Sequence, residues 1–152
     1  MFRGIHTLTI DPKGRVAIPS KCRQKLRDTG GDELITTLHF LGHCLLLYPL
    51  PEWERIERKL IDLPALDPTT DQLKKMLMGY AGECVPDGQG RILLPPLLRE
   101  QVGLDKRALL VGQGNKYEIW NEQAWAEQRT QWLQQVGSGA VELPEALKSL
   151  SL

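Results

Sequence analysis

The chain of 152 residues is poor in several things at once. No apolar run approaches the roughly 20 residues that cross a bilayer, so neither a membrane span nor a membrane partner is expected. The opening "MFRGIHTLTI" has no long apolar core and no small-residue cleavage site, which argues against a secretory signal and for a cytosolic location. Cysteine is limited to Cys22, Cys44 and Cys84, an odd number at wide spacing with no Cys-x-x-Cys pair. That excludes a disulfide framework and a zinc site, and leaves buried reduced thiols as the expected state.

Catalytic signatures are missing as well. His6, His39 and His43 fall in expected strands or loops, with no His-Glu-x-x-His and no nucleophile elbow. "GQG" occurs at 88–90 and 112–114 but opens no long helix after a parallel strand, so neither copy reads as a phosphate cradle. His39, His43 and Cys44 lie close in sequence but match no common metal spacing. An enzyme is therefore not expected, and neither is a catalytic residue, a metal, a cofactor or a small-molecule ligand.

Net charge is also absent, with 19 basic and 19 acidic residues, but the balance is local. Residues 1–27 carry Arg3, Lys13, Arg15, Lys21, Arg23, Lys25 and Arg27 against Asp11 alone, a surplus of +6 that the remaining residues cancel with −6. A basic end on an acidic body is the pattern of an anion-facing surface.

What the sequence does contain is a repetition. "DPKGRVAIPSKCR" (11–23) returns as "DGQGRILLPPLLR" (87–99), pairing Asp11 with Asp87, Gly14 with Gly90, Arg15 with Arg91, Pro19 with Pro95 and Arg23 with Arg99. Further on, Tyr48 matches Trp120 and Trp53 matches Trp125, a drift of four residues that a loop-length change explains. Each copy reads as strand, turn, strand, short helix, strand, strand. "GIHTLTI" and "RVAIP" are expected to form a hairpin closed by the type I turn "DPKG", with Asp first, Pro second and Gly fourth. Ser20 is expected to cap the helix that follows and Gly30–Gly31 to stop it. A second hairpin turns at Gly42. Helical periodicity places Trp53, Ile56, Leu60 and Leu63 on one face, then Leu73, Met76, Leu77 and Tyr80 on another, while Trp125 and Trp132 are expected in the core. The fold class is thus α+β, mainly β.

The turn suggests its own chemistry. Asp11 and Asp87 are expected to brace it, either by capping their own turn or by accepting the fork of Arg15 and Arg91 in a two-pronged pair, and Gly14 and Gly90 to permit it. A stiff tip carrying Arg15 and Lys13, or Arg91 and Gln89, suits phosphate and base edges, and a two-stranded ribbon fits the major groove. Arg3 joins this set by position and charge.

The duplicated Asp-x-x-x-Arg turn, the opening "MFRG" and "CLLLYPLPEWE" together resemble the MraZ family, the bacterial transcriptional regulators encoded at the head of the division and cell-wall gene cluster. The resemblance spans nearly the whole chain and weakens after about residue 136. It implies two tandem AbrB-like (SpoVT-AbrB) swapped-hairpin units, residues 5–52 and 81–124, folded into one pseudo-twofold double-psi-like barrel. Linking helices would occupy 53–80 and a C-terminal helix and tail 125–152. It implies self-association into a ring, nucleoid association, and binding of double-stranded promoter DNA at short direct repeats that represses the protein's own operon. Of the tip residues, Asp11, Arg15, Asp87 and Arg91 match the family signature. The competing expectation is a ring-shaped protein-interaction scaffold that touches DNA only incidentally.

Overall fold

A computed structural model describes all 152 residues. Its first compact unit is Met1–Glu122. The first half of that unit runs β1 (Ile5–Thr9), β2 (Arg15–Ala17), α1 (Ser20–Gly30), β3 (Leu34–Leu38), β4 (Leu45–Pro49) and α2 (Leu50–Ile61). After α3 (Pro68–Gly79) the order recurs as β5 (Gly82–Cys84), β6 (Arg91–Leu93), α4 (Pro96–Gln101), β7 (Arg107–Gly112) and β8 (Tyr117–Asn121). The expected α+β class and element order are present, and the β3–β4 hairpin turns at Gly42, which takes φ 74°.

The pairing of the first two strands departs from the expected hairpin. β1 lies antiparallel to β7 and β5 to β3, so each copy lends its first strand to the other. β2 pairs with β6, forming a separate two-stranded ribbon with one strand from each copy. Between β1 and β2 only the Ile10–Val16 bridge survives at the base of the turn. The reason is burial. Val16 and Ile92 face each other across the ribbon and both are wholly buried, which neither three-residue strand achieves by folding back on its own copy. The six-stranded sheet runs β1-β7-β8-β4-β3-β5, and its hydrogen bonds end at β1 and β5 without closing a barrel.

One core joins the two copies. Leu8, Ile18, Leu34, Leu47, Leu94, Leu110, Tyr117 and Ile119 belong to one cluster of buried side chains. β1 shows how the pattern dictates this: Leu8 and Ile10 point in, whereas Ile5, Thr7 and Thr9 stay exposed. Trp53 on α2 and Trp120 on β8 are each 4% exposed, as core tryptophans should be. Ser20 does not cap α1; Pro19 occupies the cap position with extended backbone and no side-chain bond is made there. Asp67 does cap α3, accepting from the Thr70 backbone N–H.

The second compact unit is Gln123–Leu152. It holds the rest of α5 (Glu122–Gly137) and the short α6 (Glu145–Lys148). Here the core expectation fails. No residue of α5 is buried, Trp132 is 41% exposed, and Trp125 meets Trp132 edge-on at 5.8 Å along the helix surface. The seven-residue spacing reflects helical periodicity of an aromatic pair, not of a buried face.

All three thiols are free and buried. Burial pushes Cys84 up to about 12 and raises Cys44 too, the latter helped by the Glu118 carboxylate. An enclosed thiol is out of reach of a disulfide reagent, and Cys22, Cys44 and Cys84 are all enclosed. Ellman's reagent should therefore label none of the three in the native protein within minutes and all three after denaturation; rapid native labelling would show that the core is open. Ile92→Ala, which empties the ribbon's underside, should lower unfolding free energy by about 2–5 kcal/mol in urea titration.

Candidate nucleic-acid interface

Both turns are built by the same hydrogen bonds. In the first, Asp11 N–H donates to the Arg15 carbonyl at 2.9 Å and Gly14 N–H to the Asp11 carbonyl at 2.9 Å. Asp11 Oδ1 accepts from the backbone N–H groups of Lys13 (3.0 Å) and Arg15 (2.8 Å), while Oδ2 accepts from Arg15 Nε at 2.6 Å. The second turn repeats this. Asp87 Oδ1 accepts from the Gln89 and Arg91 N–H groups, both at 2.9 Å, and Oδ2 accepts from Arg91 Nε at 2.9 Å. Of the two expected arrangements the acid capping its own turn is the one that forms, and the pair to the arginine is one-pronged. One oxygen of each acid is spent on backbone, so only Nε of the arginine is engaged by the acid. The four remaining donors of each guanidinium lie on its two terminal nitrogens.

The carboxyl groups register this. Asp11 is held below the ordinary aspartate value, first by the Arg15 backbone N–H, with desolvation opposing and the Arg15 guanidinium adding to the fall. Asp87 is lowered in the same way, with the Arg91 backbone N–H foremost.

The β2–β6 ribbon then brings the two turns together. Its register sets Arg15 opposite Leu93 and Ala17 opposite Arg91. These four residues share the ribbon's outer face, since Val16 and Ile92 take the inner one. Arg15 and Arg91 are therefore diagonal neighbours, with Cα atoms about 7–8 Å apart. Their side chains are 33% and 29% exposed, and an exposed Leu93 sits directly opposite Arg15 and two residues along β6 from Arg91. Lys13 and Gln89 are exposed at the turn tips.

Arg3 is not part of this group. It precedes β1, with its backbone packed against Gly112, and the whole of β1, roughly 17 Å of extended chain, lies between it and Asp11. Of the other basic residues near the N-terminus, Lys21 and Lys25 lie exposed on α1, and Arg27 is paired with Asp32 at 2.8 Å. Two arginines without an assigned role also belong to the site. Arg23 and Arg99 pack directly over Gly90 and Gly14. The only sequence signal for them is their match to each other in the repeat.

A duplicated α+β chain, with its repeats interlocked through strands and two arginine-bearing turns side by side on one ribbon, defines the structural class. Within that class the chain belongs to the MraZ protein (antitoxin-like) family, whose model matches residues 1–76 and again 76–140. It is similar to the transcriptional regulator MraZ of Halorhodospira halophila, with 50% identity over the full length of both chains. It is also 50% identical over 152 residues to the transcriptional regulator MraZ of Thioalkalivibrio sulfidiphilus, and 46% identical over 93% of each chain to that of Methylococcus capsulatus. No helix of the protein is long and apolar enough to cross a membrane.

The lowered carboxyls carry a pH dependence whose sign is set. A group whose folded pKa lies below its unfolded value adds stability above the unfolded value, and loses it as pH falls through the folded one. Asp11→Asn and Asp87→Asn should therefore lower the Tm by a constant amount between pH 5 and 8. The gap to the unaltered protein should close as pH falls below about 4. A gap that persists at pH 2 would mean that the charge of the acid is not what braces the turn.

Proposed function

We propose that the protein is a DNA-binding transcriptional regulator whose reading element is the β2–β6 ribbon. The observation that carries this is the pairing of Arg15 with Arg91 on one exposed ribbon face, each guanidinium steadied through Nε by its own aspartate. A two-stranded ribbon fits the major groove, and a guanidinium with its terminal nitrogens presented matches guanine O6 and N7. The relatives' shared title of transcriptional regulator supports the same reading.

The finer features follow the family resemblance. The halves, residues 5–52 and 81–124, are tandem AbrB-like swapped-hairpin units, an assignment supported by the exchanged strands and by the two family matches. Residues 53–80 link them and 125–152 form the C-terminal helix and tail. The chain assembles into a ring, binds short direct repeats in the promoter of its own operon and represses the division and cell-wall genes, acting at the nucleoid. Assembly accounts for DNA binding by a chain of zero net charge. Each subunit contributes a few phosphate contacts from its basic end, and several such ends on one rim give both a local field and avidity. The first turn, with Lys13 at its tip, contributes more than the second, with Gln89; Arg3 contributes phosphate contacts only if the duplex extends well beyond the ribbon.

The test is a fluorescence titration on DNA from upstream of the protein's own gene. Arg15→Ala should cost about 1–3 kcal/mol per tip while leaving oligomer size by light scattering unchanged. Log affinity of the unaltered protein should fall steeply with log salt, by about 0.9 per phosphate neutralised, and Lys13→Ala should shallow that slope. A flat salt response with unaltered binding by Arg15→Ala would favour a protein-interaction ring.

A further inference from the structure

Gly14 and Gly90 are buried although they sit in tight turns at the surface. Both have positive φ, 85° and 74°, which favours glycine on its own. A second constraint acts on them. A Cβ on Gly14 would lie 2.6 Å from Cζ of Arg99, and one on Gly90 would run into Cζ, Nη1 and Nε of Arg23. Each glycine is therefore roofed by an arginine, and in both cases the arginine comes from the other copy.

The roof is anchored. Arg99 Nε donates to the Leu94 carbonyl at 2.9 Å, and the N–H of the same Leu94 donates to the Gly14 carbonyl at 2.9 Å. Arg23 Nε donates to the Ile18 carbonyl at 3.0 Å, and Ile18 N–H donates to the Gly90 carbonyl at 3.2 Å. One residue thus ties the guanidinium to its own chain and the opposite turn to that chain, twice over. A planar guanidinium anchored by Nε lies flat against a bare glycine; an ammonium on a flexible stem offers neither the plane nor the Nε donor.

We infer that Arg23 and Arg99 are positioning residues that act across the copies. Arg99 sets the Asp11–Arg15 turn, and Arg23 sets the Asp87–Arg91 turn. The reader of each copy is held by the helix of the other, since Arg99 lies on α4 and Arg23 on α1. The two turns are then a coupled pair rather than two independent fingers. The consequence for DNA affinity rests on the nucleic-acid reading above; the clasp itself does not.

Hydrogen exchange on the full-length protein without DNA tests the clasp. Arg99→Ala should raise amide exchange severalfold across residues 11–15 and leave 87–91 unchanged, and Arg23→Ala should do the reverse. Arg→Lys at either position should fail to restore protection. Arg→Met, which keeps the packing of the stem, takes the place of alanine if that variant does not fold. Faster exchange in the altered residue's own copy, or equally in both, overturns the clasp.

Affinity for the upstream DNA tests the positioning role. In an Arg91→Ala background, where the first turn reads alone, adding Arg99→Ala should cost a further tenfold or so, and adding Arg23→Ala should cost little. Crossed exchange with no such difference in affinity overturns the positioning role. Binding that ignores Arg15→Ala as well would instead sink the nucleic-acid reading, with the exchange result still standing.

Discussion

The molecule rests on the pairing of β2 with β6. Three residues from each copy meet there, and only there do Val16 and Ile92 lose their contact with water entirely. Burying two such side chains is worth several kcal/mol on an area basis, about 1.5–3 for each. A three-residue strand cannot achieve this by itself, because an isolated short hairpin exposes one whole face. Once β2 and β6 pair, the first strand of each copy is committed to the other copy's sheet. The shared core and the neighbouring turns follow from that commitment.

The turns themselves are held on a smaller scale and by a different force. Each aspartate gathers two backbone N–H groups on one oxygen and Nε of an arginine on the other. Such solvent-accessible, partly exposed charge pairs contribute little to global stability. Their value is directional. A guanidinium fixed through Nε loses rotamer freedom before any ligand arrives, so less entropy is lost when its remaining donors engage one. The ribbon sets where the arginines stand, and the acids set which of their nitrogens is engaged within the turn. The roofing arginines at 23 and 99 add a third layer, linking the conformation of one turn to the helix of the other copy.

Much of this was legible in the chain and some was not. The repeat was visible because Asp, Gly and Arg must recur at fixed spacing for the turn to form at all. The helices were visible from their apolar stripes, and Trp53 behaves as that stripe requires. Trp125 and Trp132 show the same periodicity yet neither is buried, because periodicity reports that a face exists and not how deeply it is covered. The hairpin of β1 with β2 was the natural reading of "DPKG" between two apolar stretches. It failed because turn residues specify a chain reversal, whereas the ladder beyond the turn is won by whichever strand buries more. Arg3 shares the charge of the tip residues, yet it sits against Gly112 before β1 begins, with that strand between it and the first turn.

Taken alone, the sequence determined what lies within five residues: two turns, each with an acid that caps it, a glycine that permits it and an arginine that the acid steadies. Those bonds are local, so they need nothing from the rest of the chain. Only the tertiary structure decided that the two arginines share one face, and that Arg23 and Arg99 roof each other's turns. Strand partners 76 positions apart are chosen by the burial of a common core, and no local pattern encodes that choice.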